Sequence, residues 1–188
     1  MQKLSLKNGQ SSLWKEIKKR WDTTFDYVRN NWETLQVDRK RIYLFGRSLG
    51  GAVAIYLASQ HSNELAGVIL ENTFTCISDM VKKVFRFLDF DIIKKYMLRL
   101  EWRSIDLINQ ITCPILFLAS GRDEIVPSEQ MVELHRSASS AHFKSWHSIP
   151  QAMHNDAWLS GGDDYWKEIR AFVEECENKA NKKTDATD

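Results

Sequence analysis

Apolar residues recur every three or four positions at Trp14, Ile17, Trp21, Phe25, Val28, Trp32 and Leu35, with Lys, Arg and Asp between them. That spacing predicts one amphipathic helix with a single apolar stripe. The period then changes. Segments 41–45 (RIYLF), 65–70 (LAGVIL), 115–119 (ILFLA) and the weaker 143–149 are short runs, continuous rather than alternating. Runs of that kind are strands buried on both faces, as in parallel sheets. Helical patterns lie between and after them, at 49–59, 129–137 and 163–178. The last carries a stripe of Trp166, Ile169, Phe172, Val173 and Cys176. The reading is an α/β fold, a parallel sheet of about four strands with crossover helices.

The stretch 77–111 is longer than one crossover helix needs. Met80, Val84, Phe87, Ile92, Tyr96, Met97 and Leu100 lie there among Lys and Arg, as in two or three amphipathic helices over a sheet edge. Over a site, such an insertion is a helical lid, with Phe85, Phe87, Phe90, Met97 and Trp102 roofing an acyl pocket. A plain packing helix pair is the competing reading. Residues 179–188 are polar and charged and are expected to fray as a disordered tail. Residues 1–12 are polar and stand apart, which leaves a domain over 13–178.

Composition narrows the class. Hydrophobic residues are 43% of the 188 and charged residues 27%, which excludes wholesale disorder, collagen and coiled coil. Lys plus Arg total 26 against 25 Asp plus Glu, and a net charge of +1 gives no case for nucleic acid as a partner. Cys76, Cys113 and Cys176 lack the spacing of a disulfide framework or a metal site, and read as buried thiols in a reducing compartment. No apolar run approaches the roughly 18 residues of a membrane span and no signal peptide is visible, so this chain is expected in the cytoplasm.

Candidate chemistry begins at Gly46-Arg47-Ser48-Leu49-Gly50, a G-x-S-x-G motif between an apolar strand and an Ala-rich helix. A nucleophile elbow needs that placement, because its sharp turn strains the serine and needs small neighbours. The helix N-terminus turns free N–H groups toward the site, so the Leu49 N–H is a candidate oxyanion donor. An idle serine in a Gly-rich turn is the alternative.

A serine nucleophile needs a base, and the base needs an orienting acid. Of the five histidines, His61 reads as a solvated helix cap, His135 lies in a helix, and His142 and His147 lie in or beside the weak strand. His154 stands in the loop after the last strand, where open α/β sheets keep their chemistry, and is the candidate base. Asp123, just past the third strand in a turn opened by Gly121, is the candidate acid, with Glu124 beside it. Glu71, ending the second strand, is the other contender, favoured as a structural carboxylate holding the Asn72-Thr73-Phe74 turn. Ser48, Asp123, His154 is the chain order nucleophile, acid, base.

The segments FGRSLGGAVA, ENTFTCI, SGRDEIVP and HND resemble the serine hydrolases of the alpha/beta hydrolase domain-containing protein 13 type, the bud-emergence-like branch of the α/β-hydrolase superfamily. The resemblance runs from about residue 26 to 180. It implies a partial α/β-hydrolase fold, with Ser48 as nucleophile, His154 as base and Asp123 as acid. The implied reaction cleaves an acyl ester or thioester through an acyl-enzyme, without metal or organic cofactor. Related branches act as acyl-protein thioesterases, which implies a small-molecule or lipidated acyl substrate. Others resemble serine aminopeptidases, the alternative for an amide. Superfamily members carry further strands and a second oxyanion donor ahead of the strand that feeds the nucleophile. The chain is therefore expected to be an N-terminally truncated piece of such a domain, with 41–45 as a sheet edge open to self-association. A catalytically impaired piece acting as an interaction module is the rival reading. Longer relatives carry an N-terminal membrane anchor, which implies membrane contact for a longer form.

Overall fold

The computed structural model describes residues 6–77 and 102–185. Helix α1 spans Leu6–Asn30 and ends short of Leu35. The Asn31 side chain donates to the Tyr27 carbonyl at 2.8 Å and closes the last turn. The chain then reverses through Gln36, at φ 54°. The predicted stripe is only half covered: Phe25 is buried, but Trp21 stays 44% exposed.

Four strands follow, β1 (Tyr43–Arg47), β2 (Gly67–Glu71), β3 (Ile115–Ser120) and β4 (Lys144–Ile149). They form one sheet in chain order, and every pairing is parallel. Helix α2 (Leu49–His61) links β1 to β2, and α3 (Ser128–Ser137) links β3 to β4. Helices α4 (Ala157–Ser160) and α5 (Gly162–Asp185) come after β4.

Every residue of β2 and β3 is buried, because helices cover both faces of the sheet. Successive strand residues point to opposite layers. Val68, Leu70, Ile115 and Phe117 pack with Ile55 of α2, Met131 of α3 and Phe25 of α1. Ile69, Leu116 and Leu118 pack on the other side with Tyr165, Phe172 and Cys176 of α5. Among the described residues β1 pairs only with β2, so the first strand lies at an edge, as expected, with Phe45 53% exposed.

Most of the predicted lid, 78–101, lies outside the described residues. Trp102 is described, and it corrects the roof assignment. It is 3% exposed and sits edge-on to Tyr56, ring centres 6.0 Å apart, within the core beside α2. Two short 3-10 turns, Ser104–Asp106 and Ile108–Gln110, then bring Ile108 and Ile111 into the same core.

The tail also differs from expectation, because α5 continues to Asp185. Lys179, at the start of that tail, has partners. It pairs with Glu175 one turn back at 2.7 Å and lies 3.7 Å over the Phe143 ring. Among the described residues no helix is long and apolar enough to cross a membrane.

All three cysteines are free and buried. Burial pushes the Cys113 thiol up to about 11 and the Cys176 thiol up to about 12. The reactive species is the thiolate. Ellman's reagent at mildly alkaline pH is therefore expected to reach Cys113 and Cys176 only as fast as the protein opens. Rapid stoichiometric reaction of the native chain would contradict this packing.

Candidate active site

At the end of β1 the chain turns through Ser48 into α2. Ser48 has φ 53° and ψ −121°, a conformation that non-glycine residues rarely adopt. Hydrogen bonds on both sides hold it there. Its N–H donates to the Glu71 carbonyl at 2.9 Å. Its own carbonyl accepts from the Gly51 N–H at 3.0 Å and from Thr73 Oγ1 at 2.7 Å. A serine in this N-cap position ordinarily caps the helix with its hydroxyl, but that of Ser48 makes no capping bond. The Leu49 N–H belongs to the first turn of α2, whose N–H groups lack acceptors within the helix.

The parallel register brings the strands' C-terminal ends to one edge, with Arg47 beside Glu71, Glu71 beside Leu118, and Ser120 beside Ile149. The loops after β3 and β4 meet there. The Gly121 N–H donates to the Ile149 carbonyl, and the Arg122 N–H to the Ala152 carbonyl, each at 2.9 Å. Gly121 is required for this approach, since a Cβ on it would stand 2.5 Å from the Pro150 carbonyl oxygen.

The two loops bring Asp123 and His154 together. Asp123 Oδ2 lies 2.8 Å from His154 Nδ1, and the side chains are 1% and 4% exposed. Asp123 Oδ1 accepts from the Ile125 and Val126 N–H groups at 2.9 and 2.7 Å. In the tautomer that carries its proton on Nδ1, the imidazole donates to Asp123 and leaves Nε2 as the acceptor. Glu124 holds the histidine's backbone instead, its Oε2 accepting the His154 N–H at 3.0 Å.

Glu71 bonds elsewhere. Its Oε2 accepts from the Tyr165 hydroxyl at 2.6 Å, while Oε1 has no partner among the described residues. The turn it was expected to hold is held by the side chains of Asn72 and Thr73. Burial pushes the Glu71 carboxyl above the usual carboxylate range, against the opposing effects of the Tyr165 bond and of Arg47 and His154. His61 is not a solvated cap: it stacks on Phe25 at 4.5 Å and bonds Glu64 at 3.2 Å. His135 packs against Phe117 and Trp146, and burial lowers its basicity.

The sequence reading missed three participants: Asn72 as a ligand of the histidine loop, Ser120, and Tyr165. Only Asn72 carried a local signal. Asparagine tolerates the left-handed region, and here it follows a strand end at φ 46°.

A parallel sheet covered on both faces, with a strained serine and a buried Asp–His pair at its C-terminal edge, defines an α/β-hydrolase fold. The chain belongs to the dienelactone hydrolase family, whose sequence pattern matches residues 6–169 and so begins within the segment 1–12 set apart above. It is 42% identical over 138 residues to protein bem46 of Schizosaccharomyces pombe, covering 73% of this chain and 44% of that protein. It is 38% identical over 148 residues to the alpha/beta hydrolase domain-containing protein WAV2 of Arabidopsis thaliana, covering 73% and 48%. An esterase of Pyrococcus furiosus shares the fold with a TM-score of 0.66 and 14% identity, over 80% of this chain and 59% of that one. The chain thus spans about half the length of the curated relatives it matches.

Two stability predictions follow from the elbow and from Glu71. A Cβ on Gly46 would meet the Gly50 carbonyl oxygen at 2.4 Å, whereas one on Gly50 meets nothing within 4 Å. Gly46→Ala is expected to cost about 1–3 kcal/mol or more by overpacking. Gly50→Ala is expected to be neutral or to gain about 0.5–1 kcal/mol. Urea midpoints compare them, and equal midpoints would refute the tight elbow. Glu71 titrates above its unfolded value, so its ionisation opposes folding: its contribution is full below the unfolded pKa and lost as pH rises through the folded one. Glu71→Gln is expected to flatten that loss. Stability curves against pH that stay parallel for the two proteins would contradict the shift.

Proposed function

We propose that the chain carries the Ser-His-Asp machinery of a hydrolase acting on acyl esters or thioesters. The observation that carries this reading is the buried 2.8 Å bond between Asp123 and His154, at the sheet edge that also holds the Ser48 elbow. In the proposed reaction Ser48 Oγ attacks the acyl carbonyl while His154 Nε2 takes its proton. Asp123 holds the imidazole in that tautomer and faces the imidazolium that forms. The Leu49 N–H meets the developing oxyanion. His154 then gives the proton to the departing alcohol or thiol and leaves the acyl group on Ser48. Water deacylates the serine through the same histidine. Membership of a hydrolase family supports the reaction class. The proposed substrate is a small or lipidated acyl ester or thioester.

A fluorophosphonate probe is expected to label Ser48, and Ser48→Ala to abolish the labelling. Asp123→Asn is expected to keep the fold and lower p-nitrophenyl ester turnover by about 10⁴-fold. Labelling that survives in Ser48→Ala, or wild-type turnover in Asp123→Asn, would remove the reading. Across p-nitrophenyl esters the rate is expected to rise with acyl length before falling. A flat profile with good cleavage of aminoacyl amides would make the enzyme a peptidase instead.

A further inference from the structure

We infer that Asn72 is a positioning residue, whose side-chain amide sets the histidine loop against the serine elbow. The inference rests on the reading of Ser48 and His154 as nucleophile and base. Asn72 is 1% exposed and stands at φ 46°, directly after Glu71, whose carbonyl takes the Ser48 N–H. Both ends of its amide are used. Oδ1 accepts the Ser120 N–H at 2.9 Å. Nδ2 donates to Ser120 Oγ at 2.8 Å and to the His154 carbonyl at 3.1 Å. The next residue, Thr73, donates from Oγ1 to the Ser48 carbonyl at 2.7 Å, while its N–H points to Met131 Sδ at 3.2 Å.

One dipeptide therefore grips the backbone of both proposed reacting residues from a single buried point. Among the described residues the other bonds to His154 come from one loop, through Asp123 on the ring and Glu124 on the N–H. Neither ties the histidine to β2 or to the elbow. Among the described residues the Asn72 amide is the hydrogen bond that joins the histidine's backbone to the end of β2, whose Glu71 carbonyl takes the Ser48 N–H. The left-handed backbone explains the residue type. Asparagine accepts that conformation at little cost and reaches two neighbouring strand ends with a short side chain.

The test uses the full chain and reads His154 directly. Imidazole nitrogen NMR of the wild type is expected to show a single Nδ1–H tautomer for His154. Asn72→Gly keeps the backbone conformation but removes the amide, and is expected to broaden or split that signal. It is also expected to slow fluorophosphonate labelling of Ser48 by about 10- to 100-fold per folded molecule, with probe affinity within about twofold. Leu57→Ala, a core change within α2, is expected to lower stability without moving the histidine signal. If Asn72→Gly does not fold, Ser120→Ala removes only the Oγ acceptor and is expected to shift the His154 signal in the same direction, by less. An unchanged His154 signal in a folded Asn72→Gly, or in Ser120→Ala, would overturn the inference. Labelling that persists in Ser48→Ala overturns the underlying reading instead, so the two failures are distinguishable.

Discussion

A Cβ on Gly46 would lie 2.4 Å from the Gly50 carbonyl oxygen, and one on Gly51 would lie 2.5 Å from the Thr73 Cβ. That clearance lets α2 leave β1 at so sharp an angle that Ser48 takes a positive φ. The strain is held because neighbouring strand ends accept and donate the serine's backbone bonds. The hydroxyl is thereby kept out of the cap it would otherwise form. The elbow also fixes where β2 must end. Its last carbonyl takes the Ser48 N–H, so Asn72 and Thr73 stand within reach of both the serine and the histidine loop.

Local signals made much of this architecture legible. The continuous apolar runs marked β2 and β3, which are buried on both faces and leave almost no polar positions between the apolar ones. The same reading does not hold for β1 and β4: these outer strands keep exposed positions, and β4, Lys144–Ile149, mixes polar residues with Trp146 and Ile149. The elbow was legible because the G-x-S-x-G pattern and a strand-to-helix change fall within five residues, although the glycines that face tight contacts are Gly46 and Gly51, not Gly50. Asp123 and His154 were legible through topology. Parallel strands in chain order place every post-strand loop on one edge, so residues after β3 and β4 are brought together whatever their separation in sequence.

What sequence reasoning missed depends on distance. Asn72 meets Ser120 and His154, 48 and 82 positions away, and no pattern within β2 announces such partners. Trp102 was misassigned because an aromatic residue at the border of an insertion reads alike as lid or core. Its place against Tyr56 is a tertiary contact. The charged tail reads as solvated until Lys179 is seen over Phe143, a partner just ahead of β4 in the layer that α5 covers.

Two carboxylates stand at neighbouring strand ends, and their surroundings separate their roles. Asp123 is built as an acceptor. Two backbone N–H groups converge on one oxygen, which leaves the other for the imidazole. Among the described residues Glu71 has no backbone donor: Tyr165 meets one oxygen and the other is buried without a partner, and burial raises its pKa. A carboxyl in that setting is a poor counter-charge for an imidazolium, because the anion itself is disfavoured. The main-chain donors of Asp123 lie in the same loop that carries it. The Gly121 turn thus fixes both Asp123 and its hydrogen-bond donors with the same few residues. That shared origin explains why the imidazole's partner comes from the loop after β3 and not from the end of β2, although β2 is the strand that ends beside the elbow.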